Sequence, residues 1–440
     1  MRDVIVAMLV FGSTPFAFVR PYIGIVIWYW LSLMNPHRLT WGFAYHARFA
    51  FLVGAVTFLA WIFSREPKRP PGSAPTILLA LFAVWVTIST IFAVGPDEAT
   101  AKWTQIIKIL GMTFVAMCLI QDRFRLQIIV WTVAVSVGFY GVRGGIFTIL
   151  TAGNYRVWGP PDSFLTDNNQ LALALIMVLP LIWYLYLTTA QRYLRMGLLG
   201  AGALTILSIF GSHSRGGFLA LCVMLAFLWL KNRHKLVTGA AAILLMTGAL
   251  AFVPDKWFER METISTYHED ASVQGRFDAW TFAWRLAKER PLVGGGGNVF
   301  GNVQLYSRLV PTAPKAQNAH SIYFEVLGES GFVGLGLFLA LGLSCLLTAG
   351  GIIRRTRNRP DLDWARSLAA MIQVSLLGYA SGGAFLNLGF FDLYYTIIAI
   401  LVALKVVVER ELAREPAAPV TPPRAQAVGP QTVVAAPQPQ

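Results

Sequence analysis

Residues 76–94 read TILLALFAVWVTISTIFAV, an uninterrupted run without a formal charge. At about 1.5 Å rise per residue such a run makes roughly 28 Å of helix, close to the thickness of a bilayer's hydrocarbon core. Its apolar residues do not alternate with polar ones, so it does not read as a barrel strand. Working outward, residues 171–187 and 218–230 repeat the pattern. Across 440 residues, 56% of side chains are hydrophobic and 13% charged, with a mean hydropathy of +0.58. A water-soluble core cannot hide that much apolar surface, so lipid must be part of the solvent, and every backbone polar group within it must be satisfied internally.

Apolar segments fall near residues 3–34, 46–63, 75–94, 101–120, 126–150 and 168–189, then 196–211, 214–230, 236–253, 320–349, 365–386 and 391–409. The expected fold is all-α: a polytopic integral membrane protein with about twelve transmembrane helices and a large outer loop that carries helices of its own. This divides the chain into an N-terminal bundle (1–253), a loop domain (254–319), C-terminal membrane helices (320–412) and a Pro-, Ala- and Gln-rich tail (413–440) expected to be disordered and cytoplasmic. Residues 3–34, interrupted by Pro15, Arg20 and Pro21, are long for one crossing and short for two, and do not resemble a cleaved signal. Cys118, Cys222 and Cys345 each lie in an apolar run and read as small buried hydrophobes rather than a disulfide framework.

The net charge of +14 is mostly a statement about topology. Arg65, Lys68 and Arg69, Arg123 and Arg125, Arg192 and Arg195, Lys231, Arg233 and Lys235, and Arg354, Arg355, Arg357 and Arg359 occupy alternate short loops. Those loops, and with them the C-terminus, are expected on the cytoplasmic side. Basic residues scattered over loops do not make a nucleic-acid surface.

Function must come from polar residues on the other side, where four clusters stand out. Residues 155–169 contain Arg156 beside the Gly159-Pro160-Pro161 turn and lead to Asp167, Asn168 and Asn169. The guanidinium and amides suit a phosphate or a sugar hydroxyl, while Asp167 or Asn168 equally suits an N-cap. Residues 211–217, GSHSRGG, put His213 and Arg215 among glycines that allow close backbone approach, in a place where Arg215 either snorkels or binds an anion. Residues 275–290 place Phe277, Trp280, Trp284 and Ala287 at helical spacing, an aromatic stripe able to lie on a bilayer surface. Arg276 is expected at that helix's start, where its charge opposes the dipole, and Gly294–Gly297 is expected to act as a flexible hinge. Finally, Gln317-Asn318-Ala319-His320 leads into an apolar helix carrying Glu325 and Glu329. A histidine at such a mouth can be merely solvated, yet it is the side chain best suited to general-base work near neutral pH.

These residues resemble the O-antigen ligase and polymerase superfamily of bacterial lipid-linked glycan transferases. The resemblance covers most of the chain and rests on Ser214-Arg215-Gly216, on Gly275-Arg276 with Trp280 and Pro291-Leu292-Val293-Gly294, and on Asn318-Ala319-His320 with Glu329-Ser330-Gly331. Arg20–Gly24, Leu33–Arg38 and Tyr140–Gly145 are similar to a branch of O-glycosylation ligases associated with exosortase systems. The resemblance implies transfer of a glycan from undecaprenyl diphosphate to a hydroxyl of lipid A-core, on the periplasmic face of the bacterial inner membrane. It implies His320 as general base and Arg215 and Arg276 as partners of the leaving diphosphate, with Arg156, Arg143, Asn318 and His213 in substrate binding. His213 is the second candidate for the base. A single displacement would invert the anomeric carbon. No cofactor and no metal are expected, since there is no His-Glu-x-x-His and no paired-cysteine site. An O-antigen polymerase, a protein O-oligosaccharyltransferase and, in a different class, a lipid-linked glycan flippase are the alternatives.

Overall fold

The computed structural model describes residues 1–231 and 271–414 together with positions 239 and 247. The span expected at 236–253, the first part of the loop domain and the tail after residue 414 lie outside the described residues. Among the described residues every regular element is a helix. The helices are α1 (Arg2–Val19), α2 (Pro21–Met34), α3 (Phe49–Phe63), α4 (Ala74–Ile91), α5 (Pro96–Leu119), α6 (Arg123–Leu150), α7 (Asn168–Thr188), α8 (Arg192–Gly211) and α9 (Arg215–Lys231). After the undescribed stretch come α10 (Ala271–Glu289), the short α11 (Val303–Leu309), α12 (Ile322–Arg355), α13 (Asp363–Gly383) and α14 (Asp392–Ala413). By length and composition, seven described helices can cross a membrane: α1, α4, α5, α6, α7, α8 and α12. Helices α2, α3 and α9 are shorter but apolar.

Local chemistry sets the boundaries. Ser73 caps α4 by accepting from the Thr76 N–H, Asp122 caps α6 through the Arg125 N–H at 2.8 Å, and Pro96 opens α5 where its missing N–H is not needed. Residues 3–34 form two helices, because Arg20 adopts an extended conformation and Pro21 restarts the chain as the first residue of α2. The two run antiparallel: Asp3 at the start of α1 accepts from the Gly42 and Ala44 N–H groups beyond the end of α2, whereas Tyr22 at the start of α2 lies under Arg125.

The helix ends sort into two faces. At one, Arg125 pairs with Glu66 at 2.8 Å, Arg410 binds Gln121, and Arg123 lies over Trp364, so basic loops distant in sequence meet. At the other face lie the ends of α2, α6, α8 and α13 and the starts of α5, α7, α9, α12 and α14. The packing that joins them uses small residues. A side chain added to Gly141 or Gly144 would meet Thr205 or Ser208 of α8 at 2.3 or 2.2 Å, and one added to Gly145 would lie 2.2 Å from the Leu204 carbonyl. Apolar tails solvate leucine as well as protein does, so close backbone approach of this kind is what lets membrane helices associate.

Helices α10 and α11 form a second small core in which Phe282 stacks on Tyr306 at 4.6 Å, with Ala279, Ala283, Leu286, Val299 and Phe300 around them. Fully burying Phe282 contributes roughly 2–3 kcal/mol. Three expectations change here. Gly294–Gly297 is no hinge: the Gly295 and Gly296 N–H groups donate to the Gly328 and Glu329 carbonyls at 2.8 and 2.9 Å, and Val94 donates to the Gly295 carbonyl. Those carbonyls are free to accept because α12 is broken at Gly331 (φ 68°, ψ −170°). Arg276 is not at its helix start but the sixth residue of α10, past the terminal turn whose dipole it would oppose. The aromatic stripe is also only partly free for a membrane surface, since Ala287 is buried and Trp280 packs against Phe324.

Candidate functional site

His320 precedes α12 by two residues and holds a left-handed backbone (φ 43°), a conformation non-glycine residues rarely adopt and that surrounding contacts must maintain. Those contacts are visible. Trp280 of α10 donates its indole N–H to the Ala319 carbonyl at 2.8 Å and stacks on Phe324 one turn into α12, with centroids 4.9 Å apart and planes within 9°. Gly275 is needed for the same approach, because a β-carbon there would fall 2.4 Å from the Gln317 side chain. The imidazole is half-buried and makes no hydrogen bond within the described protein. Burial holds its pKa below the usual histidine value, the Arg276 charge pushes the same way, and Asp167 and Glu325 oppose them. The ring is thus kept in its proton-accepting form among charges from three parts of the chain.

Asp167 does two jobs. Its carboxylate accepts from the Asn169 N–H at 2.8 Å and forms a capping box with Gln170, so the capping role foreseen for it is present, and its charge also reaches His320. Beside it, Asn168 donates to the Ser212 carbonyl at 2.7 Å, tying the start of α7 to the turn before Arg215, the first residue of α9. Packing joins this turn to the rest: a β-carbon on Gly216 would meet Phe385 at 3.4 Å, and one on Gly383 would meet Ile322, the first residue of α12, at 2.6 Å. Ser214 closes the first turn of α9 by accepting from the Gly217 N–H at 3.0 Å. Asn318 is exposed at the lip of the same mouth.

His213 is used differently. Its Nε2 bonds to the Gly153 carbonyl at 2.9 Å, which fastens the 153–157 segment to the α8–α9 turn together with the bond from the Val157 N–H to the Gly211 carbonyl at 2.9 Å. Arg143 and Arg156 lie in the wall of a cavity of about 840 Å³ that does not include His320. The seven expected site residues are therefore divided. His320, Arg276 and Asn318 lie together, Arg215 and His213 join them through Asn168 and Ser212, and Arg143 and Arg156 stand apart.

Sequence reasoning passed over a second layer under the mouth. Lys102 of α5 donates to Glu325 and Glu329 of α12, each at 2.7 Å. Glu325 also accepts from the Gly389 N–H at 2.8 Å, and Glu329 from the Asn298 N–H at 2.9 Å. A lysine six residues inside a membrane-spanning helix was the available signal. Among the described residues no three His, Cys, Asp or Glu side chains converge as metal ligands.

Two family models match the chain. Residues 1–190 match a family of unknown function, DUF5935. Residues 200–339 match the O-antigen ligase family, Wzy_C, and contain His213, Arg215, Arg276, Asn318 and His320. Within residues 200–339, then, the chain is similar to the O-antigen ligase family. Arg143 and Arg156 lie outside the ligase match and inside the other. No curated protein matches the chain. Seven described helices long and apolar enough to cross a membrane, together with this match, point to a multi-pass membrane protein.

Proposed function

We propose that this protein is an O-antigen ligase: a metal-independent, inverting glycosyltransferase that moves a glycan from undecaprenyl diphosphate to a hydroxyl of lipid A-core. The observation that carries the reading is the imidazole of His320, half-buried, held in its basic form and without a hydrogen bond inside the described protein, within the segment that matches the ligase family. His320 accepts the proton of the acceptor hydroxyl as that oxygen bonds to the anomeric carbon. The bond from the anomeric carbon to the diphosphate oxygen breaks, and the electron pair leaves with the lipid diphosphate. Arg215 and Arg276 take up the charge that develops there, for which paired guanidinium groups are well suited. Attack opposite the leaving group inverts the anomeric configuration.

In this reading about twelve helices cross the inner membrane, and the face bearing His320 is periplasmic because the basic loops gather at the opposite end. The chain then divides into a bundle of residues 1–253, a loop domain 254–319 and the helices of 320–412, and the C-terminus is cytoplasmic. Purified protein given undecaprenyl-diphosphate-linked glycan with lipid A-core, lipid-linked glycan or a protein as acceptor tests the assignment. Transfer to lipid A-core supports a ligase. Transfer only to one of the other two makes it a polymerase or a protein glycosyltransferase of the same superfamily, and movement of the donor across vesicles without a new glycosidic bond ends the enzyme reading.

A further inference from the structure

We propose that the cavity between α1, α2, α6 and the 156–161 loop is a second substrate site, which binds the phosphate head of an anionic amphiphile apart from the His320 mouth. Four guanidinium groups line it, those of Arg2, Arg38, Arg143 and Arg156, and no carboxylate does. Arg38 has a counter-ion outside the wall, Asp162 at 3.5 Å, and Arg2 lies over Trp41. Arg143 and Arg156 make no hydrogen bond or ion pair with the described protein. An arginine on a membrane-spanning helix is costly unless something answers its charge, and gathering four adds mutual repulsion that an anion would remove.

The remaining wall is apolar and aromatic, including Trp30, Phe139, Phe147 and Trp158, which suits a phosphate joined to hydrocarbon better than a free, fully hydrated one. At about 840 Å³ the space admits such a head with the start of its chain. The local fold explains the placement. Gly141, Gly144 and Gly145 turn one side of α6 against α8, which leaves Phe139, Arg143 and Phe147 on the side facing the cavity. Helix α1 on its outer flank buries only 17% of its apolar window, so a lipid can approach from the side. The 153–157 segment, fastened to the α8–α9 turn, supplies Arg156 and Val157 to the cavity wall, and His320 is not part of that wall.

The inference rests on the proposed glycan transfer in one respect: both substrates of that reaction are phosphorylated amphiphiles, and either could be the occupant. The full-length protein in nanodiscs of neutral phosphatidylcholine is titrated with undecaprenyl diphosphate, with phosphorylated lipid A and with uncharged undecaprenol, and bound lipid is counted by native mass spectrometry. The expected result is that one phosphorylated probe binds, undecaprenol does not displace it, and Arg143→Gln/Arg156→Gln weakens it roughly 10²-fold, about tenfold for each lost charged contact. Arg354→Gln/Arg355→Gln, at the opposite face, should bind as wild type does. Loss of undecaprenyl diphosphate identifies the donor's head and loss of lipid A the acceptor's. If the double variant does not fold, Arg156→Gln alone, on a loop, should lose about tenfold. Unchanged binding in the folded variants, equal binding of undecaprenol, or no binding of either phosphorylated probe overturns the proposal. Because binding is read without turnover, a protein that transfers no glycan would refute the ligase assignment while leaving this result intact.

Discussion

Replacing Lys102 with methionine keeps the length of the side chain and removes one charge, and the structure says what that should cost. The Lys102 side chain is 14% exposed and the two carboxylates it binds are each 4% exposed, with both contacts at 2.7 Å. Without the ammonium, Glu325 and Glu329 face each other with only the Gly389 and Asn298 N–H groups as donors, and one oxygen of Glu329 already has no hydrogen bond. Removing one partner of a buried ionic group typically costs about 3–5 kcal/mol, mostly as the penalty of the charge left behind. Lys102→Met should therefore destabilise the folded state by about that amount. The triple variant Lys102→Met/Glu325→Gln/Glu329→Gln should recover most of it, since neutral amides of the same shape can still accept from those two N–H groups. Denaturant unfolding in mixed micelles gives both values. A single variant within about 1 kcal/mol of wild type, or a triple variant no more stable than the single, would refute the argument that the cluster is held by charge neutralisation.

Other predictions concern the mouth and the backbone beneath it. His320 acts as a base only when neutral, and its pKa is held below the ordinary value of 6.5, so the acid limb of kcat/KM should fall below pH 6.5; Arg276→Gln removes a lowering charge and should move the limb up, and Asp167→Asn should move it down, as pH–rate profiles would reveal. Gly331→Ala needs φ 68° and puts a β-carbon 2.3 Å from the Leu292 carbonyl, so it should cost about 2–5 kcal/mol in the same unfolding assay. Gly197→Ala, with open space around it, should change stability by less than about 0.5 kcal/mol. His213→Ala loses the bond to Gly153 and should reduce transfer far less than His320→Ala does, a difference steady-state rates will show.

Much of the fold was legible because lipid imposes one simple demand, length in apolar residues, and α4, α6 and α7 follow the apolar runs closely. Harder to read were helices whose polar residues are answered by distant partners. The first two turns of α5 look hydrophilic from Pro96 to Lys102 until Glu325 and Glu329, more than two hundred residues away, neutralise the lysine. Residues 3–34 were ambiguous because α2 has only 14 residues, about 21 Å of helix, and nothing in its own sequence says that α1 packs beside it. The glycines at 294–297 read as a hinge because sequence shows conformational freedom and not the carbonyls that use it up. At the site, His320, Arg215 and Arg276 were identifiable as polar residues that a membrane protein would otherwise avoid. The division of the arginines between the His320 mouth and a separate cavity was not identifiable, because it depends on which face of α6 the glycines commit to α8.

The most direct test of the central claim is transfer of glycan from undecaprenyl diphosphate to lipid A-core by purified protein, with chelator present, comparing wild type with folded His320→Ala. The account predicts transfer by wild type that chelation leaves unchanged and a loss of roughly 10²-fold or more in the variant. Equal rates for the two proteins, or activity abolished by the chelator, would contradict it.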